Sequence, residues 1–221
     1  MLEIYSNTDG SKTLLNPSLN ETYHSRHGAI AESMHVFIEK GLRHELISEK
    51  KEISIFEMGF GTGLNALLSL HHQKLNQRIH YHAVETFPLD YELVQQLNYT
   101  MDLPTEISDN YEQMHQLPWE QKHAVTENFS LLKQNADLGK LSLESNSVDL
   151  VYFDAFAPDI QPELWCAAIF EMLFTAMRKE SVLVTYSSKG DVRRNLLQAG
   201  FEVEKLAGPP FKRHMLRAIK K

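Results

Sequence analysis

A glycine-rich turn between an apolar run and a leucine-rich segment limits the fold more than any other feature of this sequence. Residues 53–56 are largely apolar and predict a buried strand, and residues 64–75 carry leucines at the spacing of one helical face. Gly59, Gly61 and Gly63 lie between them. A strand, a glycine turn and a helix open the nucleotide-binding α/β folds, in which ligands contact backbone amides at the start of the helix. The sequence therefore predicts a fold of this type.

The spacing of the glycines distinguishes between possible ligands. A dinucleotide-binding turn follows G-x-G-x-x-G, whereas here the third glycine comes one residue early and Leu64 takes the sixth position. Glu57 precedes the first glycine by two residues, so the turn resembles the Glu-x-Gly-x-Gly-x-Gly of S-adenosylmethionine (SAM) methyltransferases. A carboxylate at the strand end suits the cationic sulfonium of SAM better than it suits a pyrophosphate. An ordinary glycine-rich turn is the alternative.

Two further acidic residues stand where a nucleoside is expected. Glu85 ends the predicted strand 79–84, 22 residues after Gly63, close to the spacing at which a carboxylate binds ribose hydroxyls in such folds. Asp137 follows a candidate strand at residues 129–132 and is a candidate acceptor for the adenine amino group. A surface glutamate and an ordinary turn aspartate are the alternatives.

Asp154 has the best position for a catalytic residue. It follows the apolar run 148–153, which predicts a fourth strand. Ligands and catalytic groups of open α/β sheets lie at the carboxyl ends of parallel strands. An aspartate that only caps the following loop is the alternative.

Apolar periodicity predicts the remaining elements. Further strands are expected at residues 181–186, 201–206 and 211–219, and helices at residues 29–40, 89–97, 162–177 and 191–199. Residues 99–128 are less regular and predict short helices and an insertion. We expect an α/β, Rossmann-like, seven-stranded SAM-dependent methyltransferase fold in residues 49–221. Residues 1–48 are expected to form an N-terminal extension, with a hairpin or lid and a helix.

Composition excludes several classes of protein. No run of 18 apolar residues predicts a transmembrane helix, and the N-terminus does not resemble a signal peptide, which favours the cytoplasm. Cys166 is the only cysteine, so neither a disulfide nor a cysteine zinc site is predicted. Among the histidines, His80 and His82 share a strand face without a nearby acidic ligand, so no metal is expected. The sequence does not determine the oligomeric state, although a monomer is favoured.

Charge is distributed unevenly along the chain. The formal net charge is −7, yet residues 178–221 hold 11 Lys/Arg against 4 Asp/Glu. A basic C-terminal quarter on an acidic body is either a solvated face or a binding surface for a polyanion.

Several short motifs occur in a characteristic order over residues 20–218. They are Tyr23, Ser25, Gly28, Glu32-Ser33, Val36-Phe37, and the segments 59–65, 154–158 with Trp165, 186–188, 192–194, 199–201 and 212–216. Together they resemble the methyltransferase domain of the bifunctional MnmC enzymes, which complete 5-methylaminomethyl-2-thiouridine at the tRNA wobble position. Two positions depart from that pattern, because Gly28 is offset by one residue and His214 replaces an expected acidic residue.

The resemblance implies SAM-dependent N-methylation of 5-aminomethyl-(2-thio)uridine in the anticodon arm of tRNA. It implies that the glycine turn binds SAM, with Phe60, Thr62 and Asn65 included. Tyr23, His24 and Ser25 are candidates for a lid over SAM, and a plain packing loop is the alternative. The flavin-dependent oxidase half of those enzymes has no counterpart here, so no flavin is expected. Another enzyme would then have to supply the aminomethyl-uridine.

The resemblance also implies individual roles. Asp154 is predicted to accept hydrogen bonds from the amine and to assist its deprotonation, because an alkylammonium with a pKa near ~10 is mostly protonated at pH 7. Phe156 is predicted to wall the amine pocket or stack on the base, and an aromatic of the core is the alternative. Cations are needed for the tRNA phosphates, and the candidates are Arg193, Arg194, Lys212 and Arg213, with Lys189 next.

Two other functions stay open. One is a SAM-dependent methyltransferase or an aminopropyl transferase that acts on a small-molecule amine. The other is a non-catalytic module that binds SAM or RNA. The basic C-terminal quarter disfavours a cationic polyamine, and the glycine turn together with Asp154 disfavours an inactive enzyme.

Overall fold

The computed structural model describes the backbone of residues 1–221 and every side chain except that of Leu138. The strands, in chain order, are β1 (Glu3–Ser6), β2 (Lys12–Asn16), β3 (Glu21–Thr22), β4 (Glu52–Met58), β5 (Arg78–Glu85), β6 (Lys122–Thr126), β7 (Phe129–Asn135), β8 (Val148–Phe153), β9 (Met177–Thr185), β10 (Glu202–Ala207) and β11 (His214–Lys220). The first three form a small antiparallel sheet, and the others form one large mixed sheet.

Helices cover both the N-terminal segment and the large sheet. They are α1 (Ala29–Ser33), which continues into the π-helical segment Met34–Leu42, then α2 (Glu45–Ser48), α3 (Leu64–His71), α4 (Tyr91–Val94), α5 (Thr105–Gln116), α6 (Ala167–Ala176) and α7 (Gly190–Gln198), with 3₁₀ turns at Leu138–Lys140 and Pro162–Trp165. Among the described residues, no helix combines the length and apolar character needed to cross a membrane.

The order of strands in the large sheet is β10-β11-β9-β8-β4-β5-β7-β6. Strands β7, β5, β4, β8 and β9 run parallel, whereas β11 and β6 are antiparallel to their neighbours. The chain moves outward from β4 in both directions, to β5 on one side and to β8 on the other. Such a reversal is where open α/β sheets bind ligands. The predicted α/β class is thus confirmed, and all seven predicted strands are present.

Residues 99–128 contain a helix, as expected, and a strand that was not predicted. Helix α5 is mostly polar and buries Tyr111 and Met114, which lie three residues apart on one face. Strand β6 adds an eighth strand at the edge of the sheet, paired with β7 alone and interrupted by a bulge. An edge strand with little burial carries little of the alternation that reveals strands in a sequence.

The N-terminal helical segment packs directly on the sheet. Phe37 is buried, and its ring centre lies 5.1 Å from that of Tyr152 on β8. The helical segment continues through Gly41, although the sequence suggested an interruption there. A Cβ atom at Gly41 would lie only 3.1 Å from the Val184 side chain on β9, so glycine permits this close approach. The segment thereby holds residues 23–28 beside the carboxyl end of the sheet.

Candidate functional site

A cavity of about 1300 Å³ opens where β4, β5 and β8 end. Its wall includes residues of the turn after β4, the loop after β5, the loop after β8 and the N-terminal segment 21–27, together with Tyr186 and Lys212. The three strand ends meet here because β4 pairs in parallel with both β5 and β8.

The glycine turn is held from both sides. The amides of Gly59 and Phe60 donate to the Val84 carbonyl at 3.0 and 3.2 Å. Gly59 has φ +90°, and a Cβ atom there would lie 3.1 Å from the backbone oxygen of Asp154. On the other side, the Tyr111 hydroxyl donates to the Thr62 carbonyl at 2.6 Å, so helix α5 supports the turn.

One asparagine links two carboxyl groups. Asn65 Nδ2 donates to Glu57 Oε1 at 2.9 Å and to Asp154 Oδ2 at 2.8 Å. Burial raises the pKa of Glu57 well above its usual range. Burial, reinforced by the Glu32 carboxylate, raises the pKa of Asp154 to about 7, although Asn65 and Lys212 oppose the shift. Asp154 can therefore exchange a proton near neutral pH.

Glu85 connects the glycine turn to the end of β5. Its Oε2 accepts from the Gly61 amide at 3.0 Å, and its Oε1 accepts from the Phe87 amide at 2.9 Å. Burial raises the pKa of Glu85, and these backbone hydrogen bonds oppose the rise. An ionised carboxylate has about four lone-pair sites, so it retains acceptor capacity for a ligand in the cavity.

Glu32 lies in the cavity wall but was not predicted as a site residue. Its buried carboxylate accepts from the Ser25 amide at 2.8 Å and forms an ion pair with Lys212. The Lys212 ammonium also lies 4.2 Å from the centre of the Tyr186 ring. A signal was present in the sequence, because Glu32 shares a helical face with Ala29 and Val36, and a carboxylate among such residues is unusual.

The N-terminal segment contributes two aromatic groups. The Tyr23 ring meets Phe156 edge to face, with 5.2 Å between ring centres. Burial and the Glu85 carboxylate raise the pKa of Tyr23 to about 12. Burial lowers the pKa of His24 to about 4, a shift that Glu32 only partly opposes. Both side chains are therefore uncharged at neutral pH.

Phe156 is fixed through its backbone. Its amide donates to Gln161 Oε1 at 3.1 Å, and its carbonyl accepts from Trp165 Nε1 at 2.9 Å. The Tyr186 hydroxyl donates to the Ala155 carbonyl at 2.8 Å. The loop after Asp154 thus has a defined shape, and it presents an aromatic ring to the cavity.

The structure does not bring every predicted site residue into the cavity. Asp137 is exposed, accepts from the Gly139 amide at 2.9 Å and pairs with Lys140 at 3.6 Å. Of the cations predicted to bind tRNA, only Lys212 is found among the described residues of the cavity wall. The others are exposed on α7 or on neighbouring loops, where Arg194 pairs with Asp191 and Lys189 with Asp159.

One buried oxygen in the cavity wall, Asn65 Oδ1, lacks a hydrogen-bond partner among the described residues. Buried polar atoms are normally hydrogen-bonded, so this oxygen favours a polar ligand. Among the described residues, no group of three or more His, Cys, Asp or Glu side chains is placed to hold a metal ion.

Comparisons with known sequences agree with this site. A family model described as S-adenosyl-L-methionine-dependent methyltransferase matches residues 91–221. The tRNA 5-methylaminomethyl-2-thiouridine biosynthesis bifunctional protein MnmC of Methylobacillus flagellatus is 33% identical over 210 residues, covering 89% of this chain and 32% of that protein. The protein of the same name from Pseudoalteromonas atlantica is 30% identical over 236 residues, covering 98% and 33%. The chain therefore spans about a third of the length of these curated relatives.

Solved structures show the same relationship. MNMC2 from Aquifex aeolicus matches with a TM-score of 0.82 and 29% identity, covering 100% of this chain and 71% of that chain. Spermidine synthase from Thermotoga maritima matches with a TM-score of 0.63 and 11% identity, covering 99% and 68%, and this likeness shows a shared fold alone. The resemblance inferred from the sequence motifs is confirmed by these matches.

Proposed function

Because this chain belongs to the S-adenosyl-L-methionine-dependent methyltransferase family, we propose that it methylates the amine of 5-aminomethyl-(2-thio)uridine at the tRNA wobble position. The product is 5-methylaminomethyl-(2-thio)uridine. The observation that carries the proposal is Asp154, a carboxyl group with a pKa raised to about 7 at the end of β8, beside the glycine turn. The similarity of nearly the whole chain to MnmC proteins supports tRNA as the substrate.

The residues at the cavity fit SAM. The cavity exceeds the roughly 300–1,000 Å³ of ordinary ligand pockets, so it has room for SAM and a nucleoside together. We assign SAM binding to Glu57, Glu85 and the turn with Gly59, Phe60, Gly61, Thr62, Gly63 and Asn65, with Tyr23 and Ser25 beside them. The unpartnered Asn65 Oδ1 supports this assignment. When bound, SAM supplies a methyl group that its sulfonium has already activated.

Asp154 is proposed to orient the substrate amine and to take part in its deprotonation. Proton transfer from an ammonium of pKa ~10 to an ordinary carboxylate of pKa ~4 costs about 8 kcal/mol. With the Asp154 pKa at about 7, the same transfer costs about 4 kcal/mol. Burial of Asp154 therefore lowers the cost of forming the neutral amine, which alone carries a lone pair able to attack.

Aromatic and basic groups are proposed to hold the rest of the substrate. Phe156, braced by Tyr23, is positioned to pack against the uridine or its aminomethyl group. Arg193, Arg194 and Arg213 are exposed and are proposed to contact phosphates of the anticodon arm. Lys212 lies in the cavity wall and pairs with Glu32, so we propose that it acts beside the amine as well as on the tRNA.

The test is methyl transfer from labelled SAM to tRNA that carries 5-aminomethyl-uridine. Labelled methylaminomethyl-uridine recovered after nuclease digestion supports the proposal. A parallel reaction contains putrescine and decarboxylated SAM, the substrates of an aminopropyl transferase. Product in that reaction alone would establish the alternative function, and SAM binding without either product would indicate a binding module.

Substitution Glu32→Gln is expected to shift the acid limb of the kcat–pH profile to lower pH. Along this limb kcat increases with pH as Asp154 ionises, near its pKa of about 7. The groups that act on Asp154 are Glu32, which raises its pKa, and Lys212 and Asn65, which lower it. Glu57 is linked to Asp154 through Asn65, and burial raises the pKa of Glu57 well above its usual range. Removal of the Glu32 charge therefore lowers the Asp154 pKa.

The matched control for this profile is Glu21→Gln. Glu21 also lines the cavity but is not among the charges that shift the Asp154 pKa. Its profile should coincide with that of the unmodified enzyme. A Glu32→Gln profile with an unmoved acid limb would show that Glu32 has a structural role only.

A further inference from the structure

An exposed pair of stacked rings stands at the mouth of the cavity. The ring centres of His27 and Phe211 lie 4.2 Å apart, with an angle of 25° between their planes. His27 belongs to the cavity wall, and Phe211 is 76% exposed. The two residues come from opposite ends of the chain, and we call them the His27–Phe211 platform. Stacked rings at the mouth of a cavity offer a flat face on which another aromatic group can stack.

The backbone holds Phe211 outward at some cost. Its φ is +67°, a left-handed conformation that is rare for a bulky residue. The surrounding loop is closed by the Lys212 amide, which donates to the Pro209 carbonyl at 3.0 Å, and by the ion pair of Lys212 with Glu32. Strain of this kind persists where the surrounding structure fixes it, and it concentrates at binding sites.

Two cations adjoin the platform along the chain. Arg26 precedes His27, is exposed at the cavity wall and lies 5.5 Å from the centre of the Tyr5 ring, and Arg213 is exposed two residues after Phe211. The Glu32 carboxylate in the cavity wall is paired with Lys212, and the Asp9 carboxylate, which lies beside Gly28, accepts from Ser11. An aromatic face flanked by cations suits an unstacked nucleobase with phosphates on either side, because every base has a face that can stack. A peptide partner would be expected to need an apolar groove rather than one flat pair of rings.

We propose that the His27–Phe211 platform stacks a base adjacent to the wobble uridine while that uridine occupies the cavity. This inference rests on the proposed function. His27 contributes to the wall and Phe211 lies beyond it, so a base on Phe211 would neighbour the nucleotide that enters. The platform would keep the anticodon loop open and would select single-stranded RNA over a free nucleoside.

The experiment compares Phe211→Leu, Phe211→Trp and His27→Ala in methylation of tRNA that carries 5-aminomethyl-uridine. Loss of one stacked base is expected to raise KM for tRNA by about tenfold to a hundredfold in Phe211→Leu, with kcat and SAM affinity little changed. Phe211→Trp should restore KM. His27→Ala should also raise KM for tRNA, and this substitution does not alter the loop that carries Phe211. Leu75→Ala is the control, since Leu75 is 95% exposed but lies outside the cavity wall.

A second readout reports stacking directly. An anticodon stem-loop with 2-aminopurine next to the wobble uridine should change fluorescence on binding the unmodified enzyme and Phe211→Trp, but not Phe211→Leu. Suppose that the unmodified enzyme methylates tRNA and that Phe211→Leu and His27→Ala have the same KM and the same fluorescence change. The proposal that the platform stacks a base would then be wrong, and the proposed function would stand. If the unmodified enzyme leaves tRNA unmethylated, the proposed function itself fails.

Discussion

Substitution Asp154→Asn is expected to lower kcat for tRNA methylation by about 10²–10⁴-fold, the usual contribution of a general acid–base group. Asparagine matches aspartate in shape, and its side-chain oxygen can still accept the hydrogen bond from Asn65 Nδ2. It carries no charge and cannot take a proton from the substrate amine. The measurement is a single-turnover reaction with labelled SAM, together with calorimetry of SAM binding. SAM affinity should change only a few-fold, because the loss concerns the amine.

Asp159→Asn is the matched control for this substitution. Asp159 belongs to the same loop but is exposed and pairs with Lys189, so its loss should leave kcat unchanged. Full activity in Asp154→Asn would remove the catalytic assignment. Methyl transfer would then depend on orientation of an amine that loses its proton directly to water.

Local sequence patterns were sufficient for the part of the site formed at the strand ends. Glu57, Glu85 and Asp154 each follow or end an apolar run, and a parallel sheet brings the carboxyl ends of its strands to one edge. The glycine spacing fixed the turn between them. Glu85 and Asp154 consequently both line the cavity, and Glu57 is linked to Asp154 through Asn65.

Contacts between distant segments could not be inferred in the same way. Glu32 and Lys212 are 180 residues apart, and only the packing of the N-terminal helix on the sheet brings them together. The basic C-terminal quarter predicted Lys212 as a tRNA contact, but charge counts do not show which cations find a buried partner. A helix was expected within residues 99–128, but its contact with Thr62, which is 49 residues from Tyr111, could not be inferred.

Substitution Glu85→Ala is expected to weaken SAM binding by at least about 100-fold. Two hydrogen bonds from ribose hydroxyls to an ionised carboxylate contribute roughly 1.5–3 kcal/mol each, and every 1.4 kcal/mol is about tenfold in Kd. The substitution also releases the Gly61 amide, which Glu85 holds at 3.0 Å. Calorimetric titration with SAM measures the effect. Glu85→Gln should lie between the alanine variant and the unmodified enzyme, because an amide keeps one acceptor oxygen.

The control is Glu106→Ala, an exposed carboxylate in the first turn of α5 that lies outside the cavity wall. Glu85→Ala should raise KM for SAM while kcat at saturating SAM stays near that of the unmodified enzyme, which is the reverse of the Asp154→Asn pattern. A carboxylate at the end of β5 would thus act on SAM binding and one at the end of β8 on the chemical step. Unchanged SAM affinity in Glu85→Ala would mean that the ribose lies elsewhere in the cavity, and the orientation of SAM relative to Asp154 would then have to be reversed.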